Sequence, residues 1–125
     1  MMPKRILLVD DEELITRTLV KTLEKKGYDV MVAKNGEDAI AMAEAEDFNL
    51  IISDIRMPGK NGVDTVKEIM ALIKNKRQEK IPSIFVTGYT DQDAETEAQR
   101  LKPNAFLFKP FDLTVFLSEV EKAIA

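Results

Sequence analysis

The segment Leu50-Ile51-Ile52-Ser53-Asp54 places a carboxylate directly after a short apolar run of strand-forming composition. Three other runs end in the same way, with a polar residue suited to phosphate chemistry. They are Ile6-Leu7-Leu8-Val9 before Asp10-Asp11, Ile84-Phe85-Val86 before Thr87, and Phe106-Leu107-Phe108 before Lys109-Pro110. Helical patterns separate these runs, so the chain is predicted to form a parallel sheet flanked by helices.

The polar residues that follow the runs are predicted to share one edge of that sheet. In open sheets of this kind, ligands bind at the carboxyl ends of the strands, where the strand order reverses. The residues expected to meet there are Asp10, Asp11, Asp54, Thr87 and Lys109.

Five helices are predicted to alternate with five strands, the second strand being an edge strand at residues 28–32. The first helix carries an apolar stripe and ends at Gly27, a helix-stop residue. The stripe consists of Leu14, Ile15, Thr18, Leu19, Thr22 and Leu23.

Polar residues mark the starts of the other helices. Asn35 and Asp112 are predicted N-caps of the second and fifth helices, and Asn61-Gly62 opens the third. Thr90 or Asp91 caps the fourth helix, which has few apolar residues to bury and is therefore held weakly by packing.

Composition limits the classes of function. The 125 residues suit one domain, and the apolar fraction of 45% is typical of a globular protein. Without cysteine or histidine the chain has no disulfide, no thiolate or imidazole metal site, and no side chain that could carry a phosphohistidine. A net charge of −4 argues against direct nucleic-acid binding. No signal peptide or membrane-spanning run is visible, so a cytoplasmic location is expected.

Three clustered carboxylates from Asp10, Asp11 and Asp54 are predicted to bind a cation. Two like charges at about 4 Å repel by about 4 kcal/mol at an effective dielectric of 20, so such a cluster protonates one member or binds a metal. Oxygen ligands without nitrogen or sulfur favour Mg²⁺. Taken alone, Asp10-Asp11 could equally cap the next helix.

The motifs, in this order, resemble the receiver domain of two-component response regulators. The resemblance rests on four segments: Leu7-Leu8-Val9-Asp10-Asp11-Glu12, the run from Ser53 to Gly62, Val86-Thr87-Gly88-Tyr89, and the run from Phe106 to Phe111. It implies a single receiver domain over residues 1–125. It also implies a flavodoxin-like, doubly wound α/β fold, with a parallel sheet in the order 2-1-3-4-5. Whether the chain is a stand-alone regulator or part of a longer one is left open.

The resemblance also assigns roles to individual residues. Asp54 is the expected phosphoacceptor, and Mg²⁺ is expected on Asp11, Asp54 and the backbone carbonyl of Arg56, with Asp10 contributing through water. Thr87 and Lys109 are the expected phosphoryl-binding residues; taken singly, each is equally an ordinary strand-end or loop residue.

Further residues are expected to act on switching and on rate. Thr87 and Phe106 are the switch pair, although Phe106 is also a natural core residue. Arg56 and Tyr89 tune the rate of dephosphorylation, and a Tyr89 ring over Asp54 would make the phosphorylated form long-lived.

Two local features concern loops. The Lys109–Pro110 peptide is predicted to be cis by the same resemblance. Lys102, where the family often has glycine, predicts a different turn before the last strand.

The implied function is a switch rather than an enzyme with a separate substrate. The expected donor of the phosphoryl group is a sensor histidine kinase or a histidine phosphotransfer protein. The phosphorylated domain is expected to bind an unknown downstream protein, and a phosphorylation-dependent homodimer is left open. Two competing hypotheses are a haloacid-dehalogenase-like Mg²⁺-dependent phosphatase and a receiver-like scaffold that is never phosphorylated. The former places its nucleophile after the first strand in an Asp-x-Asp motif, whereas this chain has Asp10-Asp11-Glu12 there.

Overall fold

A computed structural model describes residues 2–77, 80–88 and 92–125. Within these residues five strands and five helices alternate along the chain, as predicted. The strands are β1 Arg5–Val9, β2 Asp29–Ala33, β3 Leu50–Asp54, β4 Ser83–Thr87 and β5 Ala105–Phe108. The helices are α1 Glu13–Lys25, α2 Gly36–Ala45, α3 Gly62–Arg77, α4 Gln92–Arg100 and α5 Leu113–Ile124.

The strands form one parallel sheet in the order β2-β1-β3-β4-β5, which confirms the predicted fold. The chain leaves β1 toward β2 on one side and returns to β3 on the other, so the order reverses between β1 and β3. The pairs Val9–Ser53, Asp54–Val86 and Thr87–Phe108 align the carboxyl ends of the four strands β1, β3, β4 and β5. The ligand-binding crevice of such a sheet lies at this reversal.

Successive strand residues point to opposite faces, because side chains alternate along a β-strand. In β1, Ile6 and Leu8 pack with α1 and α5 residues such as Leu19 and Phe116, and Leu7 and Val9 belong to the opposite core. Both cores are apolar and the central strands are buried, which holds the carboxyl ends of the strands in fixed positions.

The stripe predicted to be buried on the first helix is wrong at Leu14 and Thr18, both of which are exposed. The side chains that face the sheet are Ile15, Leu19 and Leu23, which recur every four residues, whereas Leu14 is 79% exposed. Leu14 precedes Ile15 by one residue and therefore projects about 100° away from this stripe around the helix.

Helix starts follow the predicted caps wherever the structure describes them. The side chains of Asn35, Asn61 and Asp112 accept backbone N–H bonds at 2.8, 2.9 and 2.6 Å. The alternative caps Thr90 and Asp91 lie outside the described residues. Gly27 follows α1 with φ of +88°, a conformation that glycine adopts without strain.

The loops around β5 give one correction and one confirmation. Lys102 has φ of +53°, so the lysine itself adopts the left-handed conformation, and the prediction of a different turn there is wrong. The Lys109–Pro110 peptide is cis, as predicted. Among the described residues, no helix is both long and apolar enough to cross a membrane.

Candidate functional site at the carboxyl edge of the sheet

Four of the predicted site residues meet at one edge of the sheet. Asp10 follows β1, Asp54 ends β3, Thr87 ends β4 and Lys109 follows β5. Asp10, Asp54 and Thr87 are 1%, 3% and 2% exposed, although each is polar. Buried polar side chains need partners, so their convergence at the strand ends indicates a built site rather than a solvated loop region.

Gly62 holds the loop after β3 against the backbone of Asp54. Its N–H donates to the carbonyl of Ile55 at 2.7 Å. A Cβ atom at this position would lie 1.7 Å from the carbonyl oxygen of Asp54. Only glycine therefore permits the close approach that positions the start of α3 beside the carboxylate.

Lys109 joins three carboxylates at the centre of the site. Its ammonium donates to Asp10 Oδ2 at 2.9 Å, Glu12 Oε1 at 2.8 Å and Asp54 Oδ2 at 3.0 Å. These bonds use all three N–H donors of the ammonium. Its backbone N–H donates to the Thr87 carbonyl at 2.7 Å, which ties the end of β5 to the end of β4.

Burial and charge shift the pKa values of Asp54 and Lys109 in the same direction. Burial raises the pKa of Asp54 above its ordinary 3.8; the Lys109 ammonium only partly offsets this, and the charge of Asp10 adds to the rise. Burial alone would lower the pKa of Lys109, but hydrogen bonds to Glu12, Asp10 and Asp54 together raise it. The lysine is therefore positively charged at neutral pH and balances one of the three acids.

The remaining negative charge fits a hard cation. Among the described residues, Asp54 Oδ1 is a buried carboxylate oxygen without a hydrogen-bond partner, which is an unfavourable state unless a further ligand binds it. Carboxylate oxygens of Asp10, Glu12 and Asp54 all lie within 4.8 Å of one another. Carboxylate oxygens are ligands that Mg²⁺ accepts, and this ion binds through few carboxylates and completes its shell with water and phosphate.

The close group of carboxylates differs in one member from the three acids predicted to cluster, while the role of Asp11 as a metal ligand stays a prediction. Asp11 was expected beside Asp10 and Asp54, yet the third acid of the close group is Glu12. Asp11 is exposed and lines the open side of the site. Two adjacent residues after a strand cannot both point into the same buried position, and Asp10 takes it.

Glu12 is the site residue that sequence reasoning missed. In the sequence, Glu12 is the last residue of the Asp10-Asp11-Glu12 motif and carries no predicted role of its own. A signal was present in its position directly before the first helix, because glutamate is not among the residues favoured as an N-cap.

A cleft of about 290 Å³ opens above Asp54 and is large enough for a small ionic group. It is lined by Asp11, Glu12, Asp54, Arg56, Met57, Pro58 and Gly88. Arg56, expected to tune the rate, is thus at the mouth with an exposed side chain. Tyr89, its expected counterpart, lies outside the described residues.

Phe106 lies on β5, the strand that neighbours β4 and its last residue Thr87. Its ring is partly buried and packs against Phe85, with centroids 6.3 Å apart, and against Phe108 at 5.1 Å. Phe106 pairs with Phe85 in the β4–β5 register, two residues before the pair formed by Thr87 and Phe108. Phe106, the expected switch residue, therefore also packs against the hydrophobic core.

Comparisons with known proteins agree with this arrangement. A sequence model of the response regulator receiver domain matches residues 6–121. The transcriptional regulatory protein PdtaR of Mycobacterium tuberculosis is 31% identical over 124 residues, covering 98% of this chain and 58% of PdtaR. The chain therefore spans little more than half of that relative.

Solved structures show the same fold. A CheY-like receiver domain protein from Methanospirillum hungatei has a TM-score of 0.89 and 28% identity, covering 98% of this chain and 94% of that one. The chemotaxis protein CheY4 of Vibrio cholerae has a TM-score of 0.85 and 29% identity, covering 98% and 99%. These matches favour the receiver over the phosphatase and scaffold hypotheses. The chain belongs to the response regulator receiver domains, the phosphoacceptor signalling modules of two-component systems.

Proposed function

We propose that residues 1–125 form one receiver domain in which Asp54 is the phosphoacceptor and Mg²⁺ is the cofactor. The observation that carries this proposal is the pairing of Lys109 with Asp54 at 3.0 Å at the bottom of an open cleft. A carboxylate nucleophile needs no general base, so the absence of histidine is no obstacle.

In the transfer, a carboxylate oxygen of Asp54 forms a bond to the phosphorus of a phosphohistidine on the donor protein. The bond between that phosphorus and the donor's imidazole nitrogen breaks, and the imidazole leaves with the electron pair. Lys109 then pairs with one phosphoryl oxygen, and the hydroxyl of Thr87 donates to another. The donor is a sensor histidine kinase or a histidine phosphotransfer protein.

The cation site is proposed on Asp10, Asp11, Asp54 and the backbone carbonyl of Arg56. Bound Mg²⁺ would neutralise charge on the transferring group. Asp10 and Asp54 are buried and held in place by Lys109, whereas exposed Asp11 is the residue that a cation can draw inward.

Phosphorylation is proposed to act on partners through Thr87 and Phe106. A movement of Thr87 toward the phosphoryl group would pull on β4, which packs against the Phe106 ring through Phe85. α4, on the same side, buries little besides Ala98 and is free to adjust. The exposed ring of Phe108, 43% accessible, gives this face an apolar contact for a downstream protein or a second copy of the chain.

Other expectations from the sequence stay predictions. These are the cytoplasmic location, the slow self-dephosphorylation as the sole catalytic activity, and the tuning of that rate by Arg56 and Tyr89.

The test is uptake of a phosphoryl group from acetyl phosphate, measured by intact mass spectrometry. The wild type should gain one phosphoryl group in the presence of Mg²⁺ and none after chelation. Asp54→Asn should gain none under either condition, while Asp38→Asn, an exposed acid near the start of α2, should behave as the wild type does. Uptake by Asp54→Asn equal to that of the wild type would refute the assignment, and turnover of donor without label would favour a phosphatase.

A further inference from the structure

Glu12 is the least buried of the three acids that hold Lys109. Its side chain is 54% exposed, against 0% for Asp10 and 5% for Asp54. A carboxylate at the surface is rehydrated by water when it loses a partner, whereas a buried one is left uncompensated. Of its three hydrogen bonds, Lys109 therefore gives up the one to Glu12 at the least cost.

The Glu12 side chain is not used to stabilise its own helix. Glu12 is the N-cap residue of α1, yet its side chain makes no capping hydrogen bond. Its carboxylate is turned to Lys109, 97 residues away in sequence. The position thus forgoes the stabilisation that Ser, Thr, Asp or Asn provides at an N-cap, which indicates that the contact with Lys109 is its structural role.

A phosphoryl group on Asp54 requires Lys109 to change partners. The ammonium has three N–H donors, and all three are engaged by Asp10, Glu12 and Asp54. A bond to a phosphoryl oxygen must therefore replace one of the three.

We propose that Glu12 is a positioning residue, an exchangeable counterion that holds Lys109 in the unphosphorylated site and is replaced by a phosphoryl oxygen on Asp54. This inference rests on the proposed phosphorylation of Asp54. Glu12 then competes with the phosphoryl group for the same ammonium, so that weakening the Glu12–Lys109 pair strengthens phosphoryl binding. Loss of a residue that binds the phosphoryl group would instead weaken phosphoryl binding.

The exchange is tested with the full chain, Mg²⁺ and beryllofluoride, a non-covalent analogue of the phosphoryl group. Glu12→Gln removes the charge, and Glu12→Asp keeps the charge but shortens the side chain by one methylene group. Glu13→Gln is the matched control, because Glu13 is the adjacent residue and faces Arg17 at 3.6 Å instead of Lys109. A second readout is the ¹⁵N resonance of the Lys109 ammonium in Mg²⁺-free protein, which a purely structural role of Glu12 would not move.

Both Glu12 variants should bind beryllofluoride on the order of threefold more tightly than the wild type, as expected from loss of a partly exposed competing ion pair. Both should shift the Lys109 resonance, and Glu13→Gln should change neither quantity.

Three outcomes would overturn the exchange. In the first, Glu12→Asp binds beryllofluoride as tightly as the wild type, which would mean that the negative charge near Lys109, and not the contact with it, determines the affinity. In the second, Glu13→Gln changes the affinity for beryllofluoride as much as Glu12→Gln does. In the third, the Lys109 resonance is the same in the Glu12 variants as in the wild type. If the wild type itself fails to bind the analogue, the proposed function fails as well. If the wild type binds beryllofluoride and the Glu12 variants bind it with the same affinity, the exchange is refuted and the proposed function is not.

Discussion

The ammonium of Lys109 lies 3.0 Å from Asp54 Oδ2, although the two residues are 55 positions apart in the chain. The contact is made possible by the parallel strands β3, β4 and β5, whose carboxyl ends meet at one edge. It places a buried cation among three carboxylates, so the site retains a net negative charge when no metal is bound.

Replacement of Lys109 should destabilise the metal-free protein. In Lys109→Met the acids lose their common counterion, and we expect the free energy of unfolding to fall by about 3 kcal/mol, since breaking buried pairs leaves uncompensated charge. Mg²⁺ should restore much of this loss, because binding to the folded state alone stabilises it. Urea unfolding with and without Mg²⁺ measures both effects.

Lys122→Met is the control for that experiment, because Lys122 is 72% exposed and lies 3.7 Å from Glu119. It should change the free energy of unfolding little under either condition. Equal losses in the two variants, or a loss in Lys109→Met that Mg²⁺ does not reduce, would contradict the proposed balance of charges.

The raised pKa of Asp54 predicts how stability depends on pH. Since burial raises this pKa in the folded state, the folded protein binds the proton more tightly than the unfolded chain, and stability from this group falls as pH rises between the two values. Asp54→Asn should therefore be more stable than the wild type at neutral pH without Mg²⁺. The difference should shrink as the pH approaches the ordinary value of 3.8. Denaturation curves of both proteins over this pH range measure the difference in the free energy of unfolding. If that difference grows on acidification, the direction proposed for the pKa shift of Asp54 is wrong.

Gly62 should tolerate no side chain. In Gly62→Ala the new Cβ would overlap the Asp54 carbonyl oxygen, and we expect a loss of about 2 kcal/mol or more in the free energy of unfolding, as for other overpacked positions. Gly88→Ala is the comparison, because its Cβ would meet Lys109 Cβ at an ordinary 3.9 Å. Thermal unfolding of the two variants distinguishes them, and similar midpoints would mean that the loop relaxes at little cost.

Asp11 should contribute to metal affinity although it lies outside the close carboxylate group. Asp11→Ala should weaken Mg²⁺ binding about tenfold, since one fewer acidic ligand is available at the cleft. Glu37→Ala removes one exposed acid from α2 and serves as the control for net charge. Titration by calorimetry gives both affinities, and an unchanged value for Asp11→Ala would remove Asp11 from the metal site.

The fold and most of the site were predictable because both depend on patterns local in sequence. Apolar runs ending in Asp10, Asp54, Thr87 and Lys109 predicted which strand ends carry the chemistry, and parallel pairing brings those ends together. The strand order, in contrast, came from a resemblance, since periodicity alone does not determine which strands are neighbours.

Apart from the backbone conformation of Lys102, the differences from the sequence prediction concern the direction of individual side chains. Leu14 and Ile15 are adjacent and both apolar, but only one can face the sheet. Likewise Asp11 and Glu12 are adjacent acids, and the longer Glu12 side chain is the one that reaches Lys109. Such choices depend on backbone geometry at the start of α1 and on a partner that lies nearly a hundred residues away, neither of which is visible in the local sequence.

The most direct test of the central claim is to locate the phosphoryl group on the chain. Protein treated with acetyl phosphate and Mg²⁺ is reduced with borohydride, which converts an aspartyl phosphate to homoserine, and the modified residue is identified by peptide mass spectrometry. The account predicts homoserine at position 54 alone, dependent on Mg²⁺. Homoserine in place of Asp10 or Asp11, or no modification of a folded protein that binds Mg²⁺, would contradict it.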